Sequence, residues 1–335
     1  MRQHVRRRAF GALARQVRLA VMLGVAVAGT TLAAQSAAGR KTWTPPRTAD
    51  GQLDLQGIWT NATITPFERP ASLRDKAFLT EAEVAAIERQ VATNREADPK
   101  RPGDVGSYDQ VWFDSGDHVV STRRTSLVID PPDGRVPLRP EAEAARDFNS
   151  AHERDSYEFM SVWDRCITRG APAGMFPAGY NNAYQIIQTP GYVVIHSEMI
   201  HEARIIPVDG SPHAPAQVRQ WNGDSRGRWD GKTLVVDTTN YNGKGWISTS
   251  AAGGRIKGIL QTESLHVVER FTPIDKDTID YEATIDDPKM FTRPWTVSIP
   301  LHRDPSYRIY EYACHEGNRS VGNILSDARN LEKRD

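Results

Sequence analysis

Motifs that mark several common kinds of site are missing from this sequence. No His-Glu-x-x-His or paired-cysteine motif indicates a metal site, and no Gly-x-Gly-x-x-Gly loop indicates a bound dinucleotide. The Gly-rich stretch 251–258 is not followed by the Gly-Lys-Ser/Thr of a phosphate-binding loop. We therefore expect no cofactor and no metal. His196 and Glu198, which share one face of a predicted strand, keep a metal site open as an alternative.

Cysteine and net charge are also scarce. Only Cys166 and Cys314 occur, and the 42 basic side chains equal the 42 acidic ones in number. In an exported protein two cysteines most simply form a disulfide, which we expect here, with a catalytic thiol as the alternative. Without its Arg-rich leader the chain is mildly acidic. This balance argues against a nucleic-acid partner bound through its phosphates.

Long apolar runs are confined to the N-terminus. Residues 1–38 have the pattern of an export signal, with a basic start, the apolar run Leu19–Ala34 and small residues at the cleavage spacing. This run is short for a membrane span, which needs about 20 apolar residues. We expect a periplasmic or secreted protein that has no stable membrane span after cleavage. An uncleaved anchor is the alternative.

Residues 39–335 are expected to form a single domain, because no Gly/Ser-rich linker divides them. The part 39–160 is predicted to be rich in helix and loop, with a helix over 80–97 that begins at a Thr80/Glu83 capping box and a second over 139–158. The part 161–335 has apolar residues at every second position, which predicts antiparallel strands. The predicted strands are Tyr184–Thr189, Tyr192–Met199, Ala203–Val208, Gly227–Tyr241 (divided at Asp230-Gly231), Leu265–Thr272, Thr278–Asp286, Trp295–Arg303 and Arg308–His315.

The fold class that follows is mainly β, with an α-containing N-terminal region. Strands joined by tight turns indicate an antiparallel meander, closed into a lipocalin- or calycin-like barrel, and a β-sandwich is the alternative. Gly57-Ile58-Trp59 is similar to the Gly-x-Trp that begins the first strand of lipocalin-type barrels. In those barrels the Trp closes one end.

Several sequence blocks, taken together, resemble a family of exported bacterial proteins to which no activity is assigned. The blocks are Arg165–Gly170, Tyr180–Asn182, Gln188–Tyr192, Glu198–His201 with Arg204–Pro207, Gly223–Trp229, Asp286–Pro288 and Tyr310–Asn318. The resemblance covers most of the chain after the leader. It implies a secreted or periplasmic protein of this layout, and it implies no reaction.

The densest set of polar side chains lies in residues 180–206. A turn near residues 200–202 would bring Glu198, His201 and Arg204 together as candidate catalytic residues. His201 beside a carboxylate can act as a general base, and Arg204 can bind an anionic group. The alternative is a structural ion-pair network inside a barrel.

Aromatic and amide side chains are predicted to line a pocket for a small, partly aromatic or apolar molecule. The candidate substrate-binding residues are Tyr180, Asn181, Asn182, Tyr184, Trp229, Trp295 and His315. The alternative for the aromatic residues is ordinary core packing. The stretch Gly223–Trp229 is interpreted as a structural corner held by ion pairs.

Three functions are compatible with these patterns, and the sequence leaves open whether the protein is an enzyme. The first is a cofactor-independent hydrolase, lyase or isomerase that uses a His/Glu base and an Arg anchor. The second is a non-catalytic binding protein for a small ligand, and the third is a structural protein of the cell envelope. The geometry of the pocket distinguishes them.

Overall fold

The computed structural model describes residues 43–97, 114–247 and 256–334. The chain divides into two compact units after Thr44, and the second unit, Pro45–Asp335, contains every element described below. The predicted export signal, 1–38, lies outside the described residues.

The described residues contain three α-helices, which are α1 (Glu81–Ala97), α2 (Pro140–Ala151) and α3 (Ser320–Glu332). Helix α1 begins at the predicted capping box, in which the Thr80 backbone N donates to Glu83 Oε2 (2.8 Å) and the Glu83 backbone N donates to Thr80 Oγ1 (3.3 Å). Helix α2 has Pro140 in its first turn, where no intrahelical N–H is needed. Short 3₁₀ turns occur at Ala71–Leu73, Tyr157–Phe159, Ala173–Met175 and Met199–His201.

Ten strands make one antiparallel sheet. They are β1 (Gly57–Thr60), β2 (Val128–Asp130), β3 (Ala183–Thr189), β4 (Tyr192–Ser197), β5 (Glu202–Pro207), β6 (Asp224–Asp230), β7 (Thr233–Thr239), β8 (His266–Asp275), β9 (Thr278–Asp286) and β10 (Trp295–Arg303). The spatial order is β5-β4-β3-β1-β10-β9-β8-β7-β6, and β2 pairs with β10 beside this path.

The sheet curls into a nearly closed barrel, which confirms the mainly β, antiparallel prediction and the barrel rather than the sandwich. Its two edge strands, β5 and β6, face each other closely at Gly227. A Cβ atom at Gly227 would lie 2.6 Å from Val208 Cγ1 and 3.0 Å from Ile206 Cγ2. Glycine is therefore needed where the barrel closes.

Side chains fill most of the barrel interior. Residues paired across neighbouring strands share a face, so Val236, Glu269, Ala283 and Val297 form one inward-facing row, and all four are fully buried. Trp59 is buried beneath Arg303, whose guanidinium carbon lies 4.2 Å from its ring centre. The interior is a packed core rather than a wide ligand chamber.

The structure differs from the predicted elements in several places. Residues 308–315 form no strand, although Arg308–His315 was predicted as one, and their last two residues lie in a turn. The helix α3 was not predicted. The stretch Gly223–Trp229 belongs mostly to β6 rather than to a corner. A strand needs a neighbouring strand with which its backbone forms hydrogen bonds. In residues 308–315, the backbone N of Tyr310 instead donates to the Glu198 carboxylate.

Within the described ranges, no helix combines the length and the apolar character that crossing a bilayer would require.

Candidate functional site

The chain turns between β4 and β5 as expected, and Ile200 and His201 there have positive φ angles of 61° and 53°. Glu198, just before this turn, is 1% exposed. Its carboxylate accepts hydrogen bonds from Asn181 Nδ2, Tyr307 Oη (3.0 Å) and the Tyr310 backbone N (3.3 Å). Glu198 is thus held by three donors inside the protein.

Arg204 points into the barrel and away from this cluster. Its Nη1 donates to Glu269 Oε1 (3.0 Å), its Nη2 to Thr238 Oγ1 (2.8 Å) and its Nε to Ser225 Oγ (3.0 Å). Burial disfavours the charged guanidinium, but the Glu269 carboxylate more than offsets this effect, so the pKa of Arg204 is raised. Every nitrogen of Arg204 has a protein partner.

His201 is exposed, and its ring centre lies 4.5 Å from that of His196. Burial first, and the His201 charge second, lower the pKa of His196. The predicted trio of Glu198, His201 and Arg204 therefore does not meet: one side chain is in a buried cluster, one at the surface and one inside the barrel. The alternation of side chains along a strand explains why Arg204 is separate. Arg204 lies opposite Ile195 in the neighbouring strand, and since Ile195 faces the barrel interior, Arg204 does too.

The structure does join Glu198 with two other predicted residues, Asn181 and Asn182. Asn182 Nδ2 donates to Asp114 Oδ1 (2.9 Å) and its backbone N to Asp114 Oδ2 (3.1 Å). Burial, together with the nearby Glu198 charge, raises the pKa of Asp114. Sequence reasoning missed Asp114 and Tyr307, because both lie in irregular segments that no motif connects to this site.

The remaining candidate substrate-binding residues are dispersed. Trp295 is fully buried in a cluster with Phe67, Phe176 and Phe291. Tyr184 is buried at the end of β3, and Trp229 packs against the core. Tyr180 and His315 line surface cavities, and these are two different ones. The predicted single aromatic pocket is not formed, since most of these aromatic side chains are core residues.

The sequence Gly223-Asp-Ser-Arg-Gly227 has the Gly-x-Ser-x-Gly spacing of a hydrolase nucleophile elbow. That elbow needs a sharp turn between a strand and a helix, with an exposed hydroxyl. Here Ser225 is buried within β6, and its hydroxyl lies 3.0 Å from Arg204 Nε and 3.1 Å from Thr238 Oγ1. This serine contributes to barrel closure and lacks the geometry of a nucleophile.

An open depression of about 510 Å³, here named the outer cleft, lies beside the turn at residues 199–201. It is bordered by this turn and by residues 311–316, with the Cys166–Cys314 pair between them. The two sulfur atoms are 2.02 Å apart, as the sequence predicted for a disulfide. The polar side chains that line the outer cleft are His201, Glu202, Glu311, Tyr312, His315 and Glu316.

A second, much smaller space of about 30 Å³, here named the Arg169 cavity, shares one wall residue with the outer cleft. Glu202 borders both spaces. The Glu202 carboxylate accepts from Thr168 Oγ1 (2.6 Å) and Asn222 Nδ2 (2.5 Å), which fixes it between β5 and the loop before β6. The wall of the Arg169 cavity also includes Ser197, Met199, Arg204 and two glycines, Gly170 and Gly174.

Arg169 is the unusual group of this cavity. It is 3% exposed, and its Nε and Nη2 have no hydrogen-bond partner among the described residues. Burial lowers its pKa, and the groups that counteract this are Tyr184, Tyr180 and Tyr312. Its guanidinium carbon lies 5.9 Å from the ring centre of Trp163. Two unpartnered nitrogens on a buried guanidinium are costly, so among the described residues Arg169 stands out as a group able to bind an anion.

Across the described ranges, no cluster of three or more His, Cys, Asp or Glu side chains has the arrangement of a metal site. In comparisons with protein-family models, with curated proteins and with solved structures, no match was found.

Proposed function

We propose that this chain is an exported binding protein for a small molecule, which lies in the outer cleft. The cleft volume of about 510 Å³ falls within the range of about 300–1,000 Å³ that is usual for small-molecule sites. The observation that carries the proposal is that this open cleft shares Glu202 with the wall of a small cavity, in which two nitrogens of the buried Arg169 have no hydrogen-bond partner among the described residues. In this proposal, part of the ligand extends from the cleft past Glu202 toward Arg169.

Binding fits the geometry better than the catalytic trio does. A general base must be free to accept a proton from the substrate. Both oxygens of Glu198 already accept hydrogen bonds, and Arg204 is committed to Glu269. Two of the three catalytic candidates, Glu198 and Arg204, are therefore occupied by structural contacts, and His201 lies apart from both at the surface.

Two other cavities of similar size fit less well. A space of about 560 Å³ near α2 is bordered by four basic and four acidic side chains, several of them bound to each other or to backbone. A space of about 620 Å³ lies against α3 and shares both cysteines and residues 311–313 and 316 with the wall of the outer cleft. Neither shares a wall residue with the Arg169 cavity.

Export is part of the proposal. A disulfide persists in oxidising compartments such as the periplasm or the extracellular space. This agrees with the leader pattern of residues 1–38.

Native mass spectrometry of the protein purified from its host tests the proposal. We expect a small-molecule adduct on the wild-type protein. Ala313→Trp places a large side chain at the exposed wall of the outer cleft and should reduce the adduct at least tenfold. Ala82→Trp, at an exposed position of α1 away from this cleft, should retain it. A clean apo mass for the wild type, or equal adducts on both variants, would contradict the proposal.

A further inference from the structure

We infer that Arg169 recognises the carboxylate group of a small carboxylic acid, the rest of which occupies the outer cleft. This inference rests on the proposed function and names the chemical class of the ligand.

Two arginines border the same cavity, and only one of them is satisfied. Arg204 donates to a carboxylate and two hydroxyl groups. Arg169 is 3% exposed, less than the Arg204 side chain at 12%, but two of its three nitrogens have no partner among the described residues. Burying a guanidinium without partners is unfavourable unless a ligand supplies the hydrogen bonds and the opposite charge.

The Arg169 guanidinium carbon lies 5.9 Å from the centre of the Trp163 ring, and the groups that counteract the lowering of its pKa by burial are tyrosines rather than a carboxylate. The two unpartnered nitrogens, Nε and Nη2, belong to one planar guanidinium and can present parallel N–H groups. Such a fork matches a carboxylate, which accepts two hydrogen bonds at once.

The size of the cavity limits what can enter it. One water needs about 10–15 Å³ by this measure, so a space of about 30 Å³ holds about two waters or one carboxylate group. A phosphate is larger, and an aromatic ring does not fit. The body of the ligand must therefore remain in the outer cleft while its carboxylate enters the cavity.

Glycine keeps this space open at one wall. A Cβ atom built at Gly174 would lie 3.8 Å from Arg169 Cβ, which is an ordinary contact distance. Gly174→Ala is therefore sterically tolerated and reduces the cavity without changing the guanidinium. The same substitution at Gly170, where φ is +83°, would strain the backbone.

Calorimetric titration with matched acids and amides tests the inference. Acetate and benzoate should bind the wild type at least tenfold more tightly than acetamide and benzamide, which have the same shapes without the charge. Arg169→Gln should abolish this preference, and Arg169→Lys, which keeps the charge but not the fork, should retain part of it. Arg228→Gln, at an exposed position of β6, should bind as the wild type does.

Gly174→Ala keeps the inference testable if both Arg169 variants fail to fold. It should melt as the wild type does and bind acetate at least fivefold more weakly. Equal binding of acids and amides by the wild type, unchanged acetate binding by Gly174→Ala or by folded Arg169→Gln, or phosphate binding as tight as acetate binding would overturn the inference.

The two proposals fail in different ways. If Ala313→Trp loses benzoate and benzamide alike while Arg169→Gln binds both normally, the outer cleft binds ligands and the role of Arg169 is wrong. If Arg169→Gln loses acetate while Ala313→Trp binds benzoate normally, Arg169 binds carboxylates and the outer cleft is not the place of the ligand body.

Discussion

Ion pairing inside the barrel centres on one carboxylate, Glu269, which is fully buried on β8. Arg204 from β5 and the Tyr281 hydroxyl from β9 both donate to it. Burial, and then the Glu269 charge, raise the pKa of Tyr281, so this tyrosine stays neutral and donates. Because Arg204 also binds Ser225 of β6, the pair joins strands from both edges of the sheet.

Removing Glu269 should destabilise the fold strongly. Glu269→Ala leaves Arg204 buried without its counter-charge, and we expect the free energy of unfolding to fall by about 3–5 kcal/mol in urea denaturation. The double variant Arg204→Met/Glu269→Leu should recover most of this loss, since neither charge then remains. Glu81→Gln, at an exposed position, serves as the control and should change little. A loss below about 1 kcal/mol for Glu269→Ala would contradict the role given to the pair.

At the scale of elements, the segment 209–222 between β5 and β6 is held to the barrel by polar contacts rather than by regular structure. His213 Nδ1 lies 3.0 Å from Asp224 Oδ2, and its Nε2 lies 3.0 Å from Asp237 Oδ1. His266 Nε2 lies 3.0 Å from the other Asp237 oxygen. His213 thus connects this segment to β6 through Asp224 and to β7 through Asp237.

Stability should depend on pH through Asp237. Burial alone would raise its pKa, but the hydrogen bonds and charges of His266 and His213 outweigh this and lower it. A carboxyl with a lowered folded-state pKa stabilises the fold above its unfolded pKa of about 3.9, and this contribution disappears as the pH falls through the folded value. The wild type should therefore exceed Asp237→Asn in stability at pH 6, and the difference should shrink below about pH 4.

Urea denaturation at pH 6, 4 and 3 measures this difference. Asp327→Asn, at an exposed position of α3, is the matched control and should follow the wild type at each pH. A difference between the wild type and Asp237→Asn that grows on acidification would have the wrong sign for this account.

At the scale of the whole molecule, the disulfide joins parts that no strand pairing connects. Cys166 precedes the sheet strands β3–β10 and Cys314 follows them, 148 positions later. Both cysteines border the outer cleft, so the disulfide fixes residues 311–316 beside the turn at residues 199–201. The shape of the proposed ligand site depends on this covalent link.

Breaking the disulfide should lower both stability and binding. A loop of this length corresponds to about 4–5 kcal/mol in the chain-entropy model, so Cys166→Ser/Cys314→Ser should melt at a clearly lower temperature than the wild type. Ligand adducts in native mass spectrometry should weaken in parallel. Alkylation of the unreduced native protein should modify neither cysteine, and two reactive thiols would contradict the link.

Much of the fold could be predicted because its signals are local. Apolar alternation and the Asp230-Gly231 turn predicted most of the strands from β3 to β10, and the capping box predicted the start of α1. Helix α3 could have been predicted as well, since Val321, Ile324 and Ala328 recur at helical spacing. Residues 308–315 alternate like a strand but have no neighbouring strand to pair with, which no local pattern reveals.

The meander of strands, the partner of each cysteine and the turn after Glu198 follow from the sequence, because each depends on residues close in the chain or on a single available partner. Which polar groups meet depends on the fold. The fold separates Glu198 from Arg204 by placing them on different sides of the barrel wall, and it encloses Arg169 with two nitrogens that have no partner among the described residues. Burial and side-chain contacts between distant segments set these outcomes, and neither is written in the local pattern of residues.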